Sequence, residues 1–255
     1  MVEARNNAAK VTVRDLFAVP VAVCEWPDAE RLNAQLRDTI LKHKSVTPGV
    51  VNSNRKGWHS KTDFHRWQEP CVGEFLTMVH EAAANMASHL APGADKRLLE
   101  NWRITGCWAN VNPKGGFNKA HNHVGGGQLS GFYYVDLGEC SPPEHAGRTV
   151  FEDRSGTAEQ KRPGHDISAR EYALVPKPGV MAIFPAAQFH YVEPYRGPGE
   201  RITIAFNLSH PDFDVLYYPS MVDQGWWWTN FRGVMLLKKK IPEKLRALSM
   251  FPGYA

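Results

Sequence analysis

Apolar and polar positions follow two rhythms in this chain, and the change comes near residue 100. Before it, the spacing is mostly helical. Leu32, Leu36 and Ile40 recur every four residues behind Asp28, a candidate N-cap, and predict a helix over 29–43. Val72, Phe75, Leu76, Val79, Ala83 and Met86 make one apolar stripe and predict a second helix over 71–90, ended by Pro92-Gly93. Alternation of Val11, Val13, Phe17, Val19, Val21 and Val23 predicts a strand over 11–24. The stretch 45–70 is polar (Asn52, Ser53, Asn54, Gly57) and reads as a loop carrying Arg55-Lys56, Trp58, His59 and Trp67 at its tip.

Beyond residue 100 the period becomes that of extended chain. Strands are expected over 102–112, 129–136, 148–152, 171–176, 180–184, 189–193 and 200–208. Turn clusters separate them: Pro113 to Gly116, Gly125 to Gly127, Pro142-Pro143, Pro178-Gly179 and Gly197 to Gly199. Short strands between such turns predict an antiparallel sandwich or barrel, so the class is mainly β with flanking α-helices. No linker divides the chain. The expectation is a single domain over 1–255, with an N-terminal strand and helices in 1–99, a β core in 100–210 and an aromatic, partly helical tail in 211–255. The tail carries Trp226 to Trp228, whose plainest role is packing and which could otherwise line a pocket or a homodimer interface. Lys238 to Lys240 read as a solvated helix face, with helix expected over about 241–249.

Composition narrows the function classes. Thirty Lys and Arg against 26 Asp and Glu leave a net charge of +4, too mild to argue for a nucleic-acid partner. No apolar run is long enough for a membrane helix, and Met1 to Lys10 has no signal-peptide core. Cys24, Cys71, Cys107 and Cys140 form no C-x-x-C pair and no zinc framework, which fits reduced thiols in a cytoplasmic protein. Phosphate-binding glycine loops and the serine-hydrolase elbow are both missing.

The chemistry concentrates in His121-Asn122-His123, His190 and Arg201. Histidines two apart on a strand point to one side of it, and a third from a distant strand can close a metal site. Imidazole suits iron, zinc, copper and nickel alike. Arg201, Thr203 and Asn207 share one face of the last strand, opposite Ile202, Ile204 and Phe206. An arginine fork beside a metal could anchor the far carboxylate of a chelating dicarboxylate. His59 and His65 in the 45–70 loop could serve a lid or touch substrate, or belong to an ordinary surface loop. His80, His89, His145 and His165 read as ordinary surface or boundary residues, and His210, before Pro211 just past the last core strand, could lie near the mouth of the site.

Several segments together carry a family resemblance: Trp108 to Asn112, Gly115-Gly116, His121-Asn122-His123, Leu129 to Val135, Phe184-Pro185, His190 and Arg201 to Asn207, with Gly57 to Ser60 upstream. The chain resembles the Fe(II)/2-oxoglutarate dioxygenase superfamily, and within it a bacterial subgroup of 2OG-Fe(II) oxygenases, over about 100–210. The resemblance implies a double-stranded β-helix, or jelly roll. It implies Fe(II) on His121 and His190, 2-oxoglutarate paired with Arg201, O2 as oxidant, and release of succinate and CO2. Its simplest outcome is hydroxylation of a small-molecule substrate, while halogenation, desaturation or epoxidation would use the same core. Asn110, Ser130 and Tyr134 are candidates for further contacts with 2-oxoglutarate.

At position 123 the superfamily keeps an acidic ligand, and this chain has His123. Three arrangements follow: His123 ligates in a three-histidine site, it stands behind a two-histidine site, or an acid such as Asp136 or Asp153 completes the set. The alternatives in kind are a cupin-like three-histidine metalloenzyme without 2-oxoglutarate and a non-catalytic metal-binding module. Against the cupin stands Gln128, where its glutamate ligand belongs.

Overall fold

A computed structural model of the chain describes residues 19–154 and 171–212. The expected strand residues 11–18, His165, Trp226 to Trp228, the lysine run and the C-terminal helix lie outside the described residues.

Among the described residues, eleven strands form two antiparallel sheets. The larger has the order β1 (Ala22–Glu25), β9 (Val180–Pro185), β6 (Leu129–Asp136), β11 (Glu200–Ser209), β4 (Arg103–Pro113) and β3 (Trp58–His59). The smaller has the order β2 (Asn54–Arg55), β5 (Phe117–His121), β10 (His190–Val192), β7 (Thr149–Glu152) and β8 (Glu171–Leu174). The antiparallel sheets with flanking helices are those expected from the strand pattern, and the core is the jelly roll that the resemblance implies.

The central strands β4, β6 and β11 of the larger sheet are buried on both faces over most of their length. Along β11, Ile202, Ile204, Phe206 and Leu208 face α1 (Glu30–Val46) and α2 (Pro70–Leu90). Phe75 of α2 is the hub of that layer, with Tyr133 at 5.6 Å, Phe64 at 5.9 Å and Phe206 at 6.2 Å between ring centroids. The Tyr133 hydroxyl donates to Asn33 Oδ1 on α1 at 2.7 Å, and Arg37 pairs with Asp136 at 2.8 Å. Gly131 leaves room for this packing, since a Cβ there would lie 2.5 Å from the Phe206 ring.

Residues on the other face of the same strands point between the sheets. Phe132, Tyr134, Phe151, Val180, Ala182, Phe184 and Tyr195 build this second apolar cluster.

Three local expectations are corrected. Asp28 does not cap α1, which starts at Glu30 with Ala29 as N-cap and no side-chain cap bond. A short helix, α3 (Lys96–Glu100), follows α2 where no periodicity pointed to one. The 45–70 stretch is not a simple loop. Its β2 pairs with β5 in the smaller sheet and its β3 with β4 in the larger, so the turn at Lys56-Gly57 ties the two sheets together. Gly57 is needed there because a Cβ would lie 2.8 Å from Asn112 Oδ1.

Phe75→Ala should cost about 3–5 kcal/mol, the usual range for emptying a buried aromatic site. Urea denaturation checks this, and a loss under ~1 kcal/mol would mean that α2 does not seal the sheet.

Candidate metal centre

β10 is three residues long and lies between β5 and β7. Its register sets His190 directly opposite His121 on one side and Phe151 on the other. His190 is 5% exposed, and its ring centroid lies 4.5 Å from that of His121. His123 completes the group, with centroids 5.0 Å from His121 and 5.1 Å from His190. Each of the three offers one ligand atom, and these atoms lie within 4.8 Å of one another.

The rings of His121 and His190 are aimed alike. His121 Nδ1 meets Lys119 O at 2.6 Å and His190 Nδ1 meets Gln188 O at 3.1 Å, each a carbonyl two residues back. A carbonyl only accepts, so Nδ1 carries the proton and Nε2 keeps its lone pair. His123 differs in one respect from expectation: β5 ends at His121, so the pair does not share a strand. The His123 backbone is instead held by its N–H to Ala186 O and by a turn in which Gly126 N–H donates to His123 O, both at 2.8 Å. Gly126 is required, because a Cβ would come within 2.5 Å of Asn207 Nδ2.

Burial is the leading cause of a downward pKa shift at all three rings. His123 is driven to about 3, with the charges of His190 and His121 adding to burial. His190 is driven to about 4, with His121 adding. Neutral imidazole is the form that binds a metal, and three neutral donors without a buried acid suit a divalent transition ion. Of the acids that could have completed the set, Asp136 is held by Arg37 and by the Gly138 N–H. Asp153 is exposed and outside the convergent group. Gln128 Oε1 accepts from the His210 N–H at 3.1 Å and is not turned to the histidines.

Arg201 is 2% exposed and, among the described residues, has no carboxylate partner. Its Nε donates to Gly147 O at 3.1 Å, its Nη1 lies 3.3 Å from Thr203 Oγ1, and its guanidinium sits 5.2 Å from the Tyr134 ring. Burial lowers its pKa and Tyr134 opposes that. Tyr134 donates to Thr149 Oγ1 at 3.0 Å. Thr149 stands two residues from Phe151, the partner of His190, a step of about 7 Å along the strand. Arg201 therefore closes the same interior in which the histidines converge. The rings of Phe184, Phe132 and Tyr134 lie between them.

The other candidates divide. Asn110, on the inner face of β4 beside Thr203, is 6% exposed and its Oδ1 has no partner among the described residues. The Oδ1 atoms of buried Asn112 and Asn207 also lack one. Buried amide oxygens left this way are costly unless a ligand or water meets them. Ser130 is two rows from Tyr134 and donates to Phe206 O at 3.2 Å, so its hydroxyl is already engaged with backbone.

His59 was legible only as a loop residue. It is 3% exposed on β3 and stacks on Trp108. Trp58 donates to Thr47 O, and Trp67 stacks on His43 at 3.5 Å. Arg55 bonds the carbonyls of Asn52 and Asn54 in its own turn.

Comparisons agree with this geometry. Residues 106–207 match the family described as "Putative 2OG-Fe(II) oxygenase". Among curated proteins none matches this chain in sequence. Two solved structures from nogalamycin biosynthesis are similar in fold. They are the non-heme alpha ketoglutarate dependent epimerase SnoN (12% identity, TM-score 0.52, 73% of this chain and 76% of that one) and the carbocyclase SnoK (11% identity, TM-score 0.51, 74% and 78%). A Pseudomonas putida prolyl-4-hydroxylase also aligns, at 15% identity and TM-score 0.49 over 73% of this chain and 91% of that one. The likeness to the nogalamycin proteins is one of fold, the double-stranded β-helix.

Three neutral histidines, His190 buried and His121 and His123 partly so, make the metal-free protein acid-sensitive. Unfolded histidines titrate near 6.5. As pH falls below that value the unfolded chain takes protons that the fold refuses, and stability drops until His190 and His123 titrate near 4 and 3. Chemical denaturation of the metal-free protein between pH 7 and 4 should show this slope, and His123→Asn should flatten it. Equal slopes for both proteins would mean that His123 titrates as an ordinary histidine.

Proposed function

From residues 106–207, which belong to the 2OG-Fe(II) oxygenase family, we infer a non-haem iron oxygenase in which His121, His123 and His190 hold Fe(II) and Arg201 holds 2-oxoglutarate. The observation that carries this reading is the pairing of a neutral three-histidine cluster with a fully buried arginine that has no acid partner among the described residues. Fe(II), O2 and 2-oxoglutarate supply the oxidising chemistry when bound, with succinate and CO2 as products.

Everything else falls to this chain's own residues. The Nε2 atoms of His121 and His190 are presented by backbone carbonyls behind them, so little rotation is lost when a metal arrives. Three neutral donors leave the ion's positive charge uncompensated, which favours a dianionic co-substrate. Arg201, desolvated beside Tyr134 and Thr203, would take the far carboxylate through its fork. Asn110 would add a carboxamide contact from the neighbouring strand. Phe132, Phe151 and Phe184 keep water from the space between. Ser130 is a weaker candidate for the co-substrate, given its bond to Phe206 O.

The substrate is a small molecule and the simplest outcome its hydroxylation. The fold neighbours carry epimerase, carbocyclase and hydroxylase names, so the fold does not choose among them. A cupin-like enzyme without 2-oxoglutarate would leave Arg201 without a counter-charge, and Gln128, where its acid belongs, is a neutral amide whose Oε1 is taken by the His210 N–H. All four cysteines are free thiols, which supports a reducing, cytoplasmic setting. No helix among the described residues is long and apolar enough to cross a membrane.

Calorimetry on the cobalt-loaded protein tests the Arg201 assignment. Arg201→Met should weaken 2-oxoglutarate by about 2–5 kcal/mol, upwards of ~30-fold, while cobalt affinity stays within a few-fold. Unchanged 2-oxoglutarate affinity would overturn the role of Arg201.

A further inference from the structure

His123 lacks the device that aims its two companions. His121 and His190 each have Nδ1 on a backbone carbonyl, whereas the His123 ring makes no hydrogen bond to any described residue. What flanks it is rings. His121 and His190 are its fellow donors. Among the described residues a third ring contact is Trp108, at 5.5 Å and 41°.

Trp108 is itself fixed. It is 8% exposed on the inner face of β4, and its ring lies parallel to that of His59 at 5.6 Å and 9°. His59 is clamped in turn, with Nδ1 on Ser60 O at 2.5 Å and Nε2 at 3.4 Å from Asn52 Nδ2. The Ser60 carbonyl requires a proton on Nδ1, so Nε2 is the acceptor for the Asn52 amide. His59, Trp108 and His123 thus form a row of three rings. The row starts in the segment that joins the two sheets and ends at the metal centre.

We propose that Trp108 and His59 are positioning residues, a pair of stacked rings whose indole packs tilted against His123 and aims its imidazole at the metal where the other ligands use a carbonyl. This rests on the reading of His123 as the third ligand. It gives the polar segment 52–60 a function at the centre: it holds the outermost ring of the row. It also gives a reason for an indole at 108, since an aliphatic side chain fills space but leaves the imidazole free to turn about its side-chain bonds.

The test is long-range proton–nitrogen NMR on protein labelled with nitrogen-15 histidine, before and after one equivalent of Zn(II). The rings are assigned through His121→Ala, His123→Ala and His190→Ala. In the wild type, Nε2 of all three rings should shift on adding zinc. Trp108→Leu should show only His121 and His190 shifting, with zinc affinity reduced on the order of 10–100-fold. Trp108→Phe, which keeps a ring, should restore the third shift. If Trp108→Leu does not fold, His59→Leu at the sheet edge carries the same expectation. Three shifted rings in the leucine variant would overturn the positioning role and leave His123 a ligand. Two shifted rings in the wild type would overturn both.

Discussion

The cross-strand pairing of His190 with His121 is the constraint on which the site depends. β10 has only three residues, and its two ladders decide which face His190 presents. A slip of one residue would turn His190 out of the interior and destroy the cluster. The neighbours enforce the register. Phe151 and Phe184 pack against the His190 ring, the Gln188 carbonyl fixes its tautomer, and Gln188 itself is bonded to the Glu152 and Phe189 carbonyls. The larger sheet answers from across the interior with β11, whose inward face brings Arg201 and Thr203.

Helices and site divide the larger sheet between them. One face carries apolar side chains that α1 and α2 cover, and stability concentrates there. The opposite face mixes phenylalanines with a buried arginine and amide oxygens that have no partner among the described residues. Burying such groups opposes folding. That an otherwise well-packed interior tolerates them is what a ligand-binding core looks like, with local rules broken where chemistry is done. The same logic lowers the pKa of each of the three histidines: the desolvation that disfavours their protonated forms keeps their lone pairs ready for a metal.

Much of this was legible in the residues. Most of the β core could be read because Gly or Pro turns separate its extended runs, so that 129–136 and 200–208 fall within a residue of β6 and β11, while β5 was absent from the expected strands. Arg201, His121 and His190 were readable from spacing. β2 and β3 were not, since two-residue strands carry no period and lie in a polar stretch. His59 was hidden for that reason, its burial coming entirely from pairing with β4. His123 was placed on a strand because alternation says nothing about where a ladder stops, and β5 stops at His121. Ser130 shared a face with Tyr134, but a face does not reveal which hydroxyl the backbone has already taken.

The central claim is that one metal bound by these histidines and one 2-oxoglutarate share this interior. The most direct measurement is an anaerobic titration of the Fe(II)-loaded protein with 2-oxoglutarate, followed by visible absorption. The account predicts a metal-to-ligand charge-transfer band that saturates at one equivalent. Tight iron binding with no band at any 2-oxoglutarate concentration would contradict it.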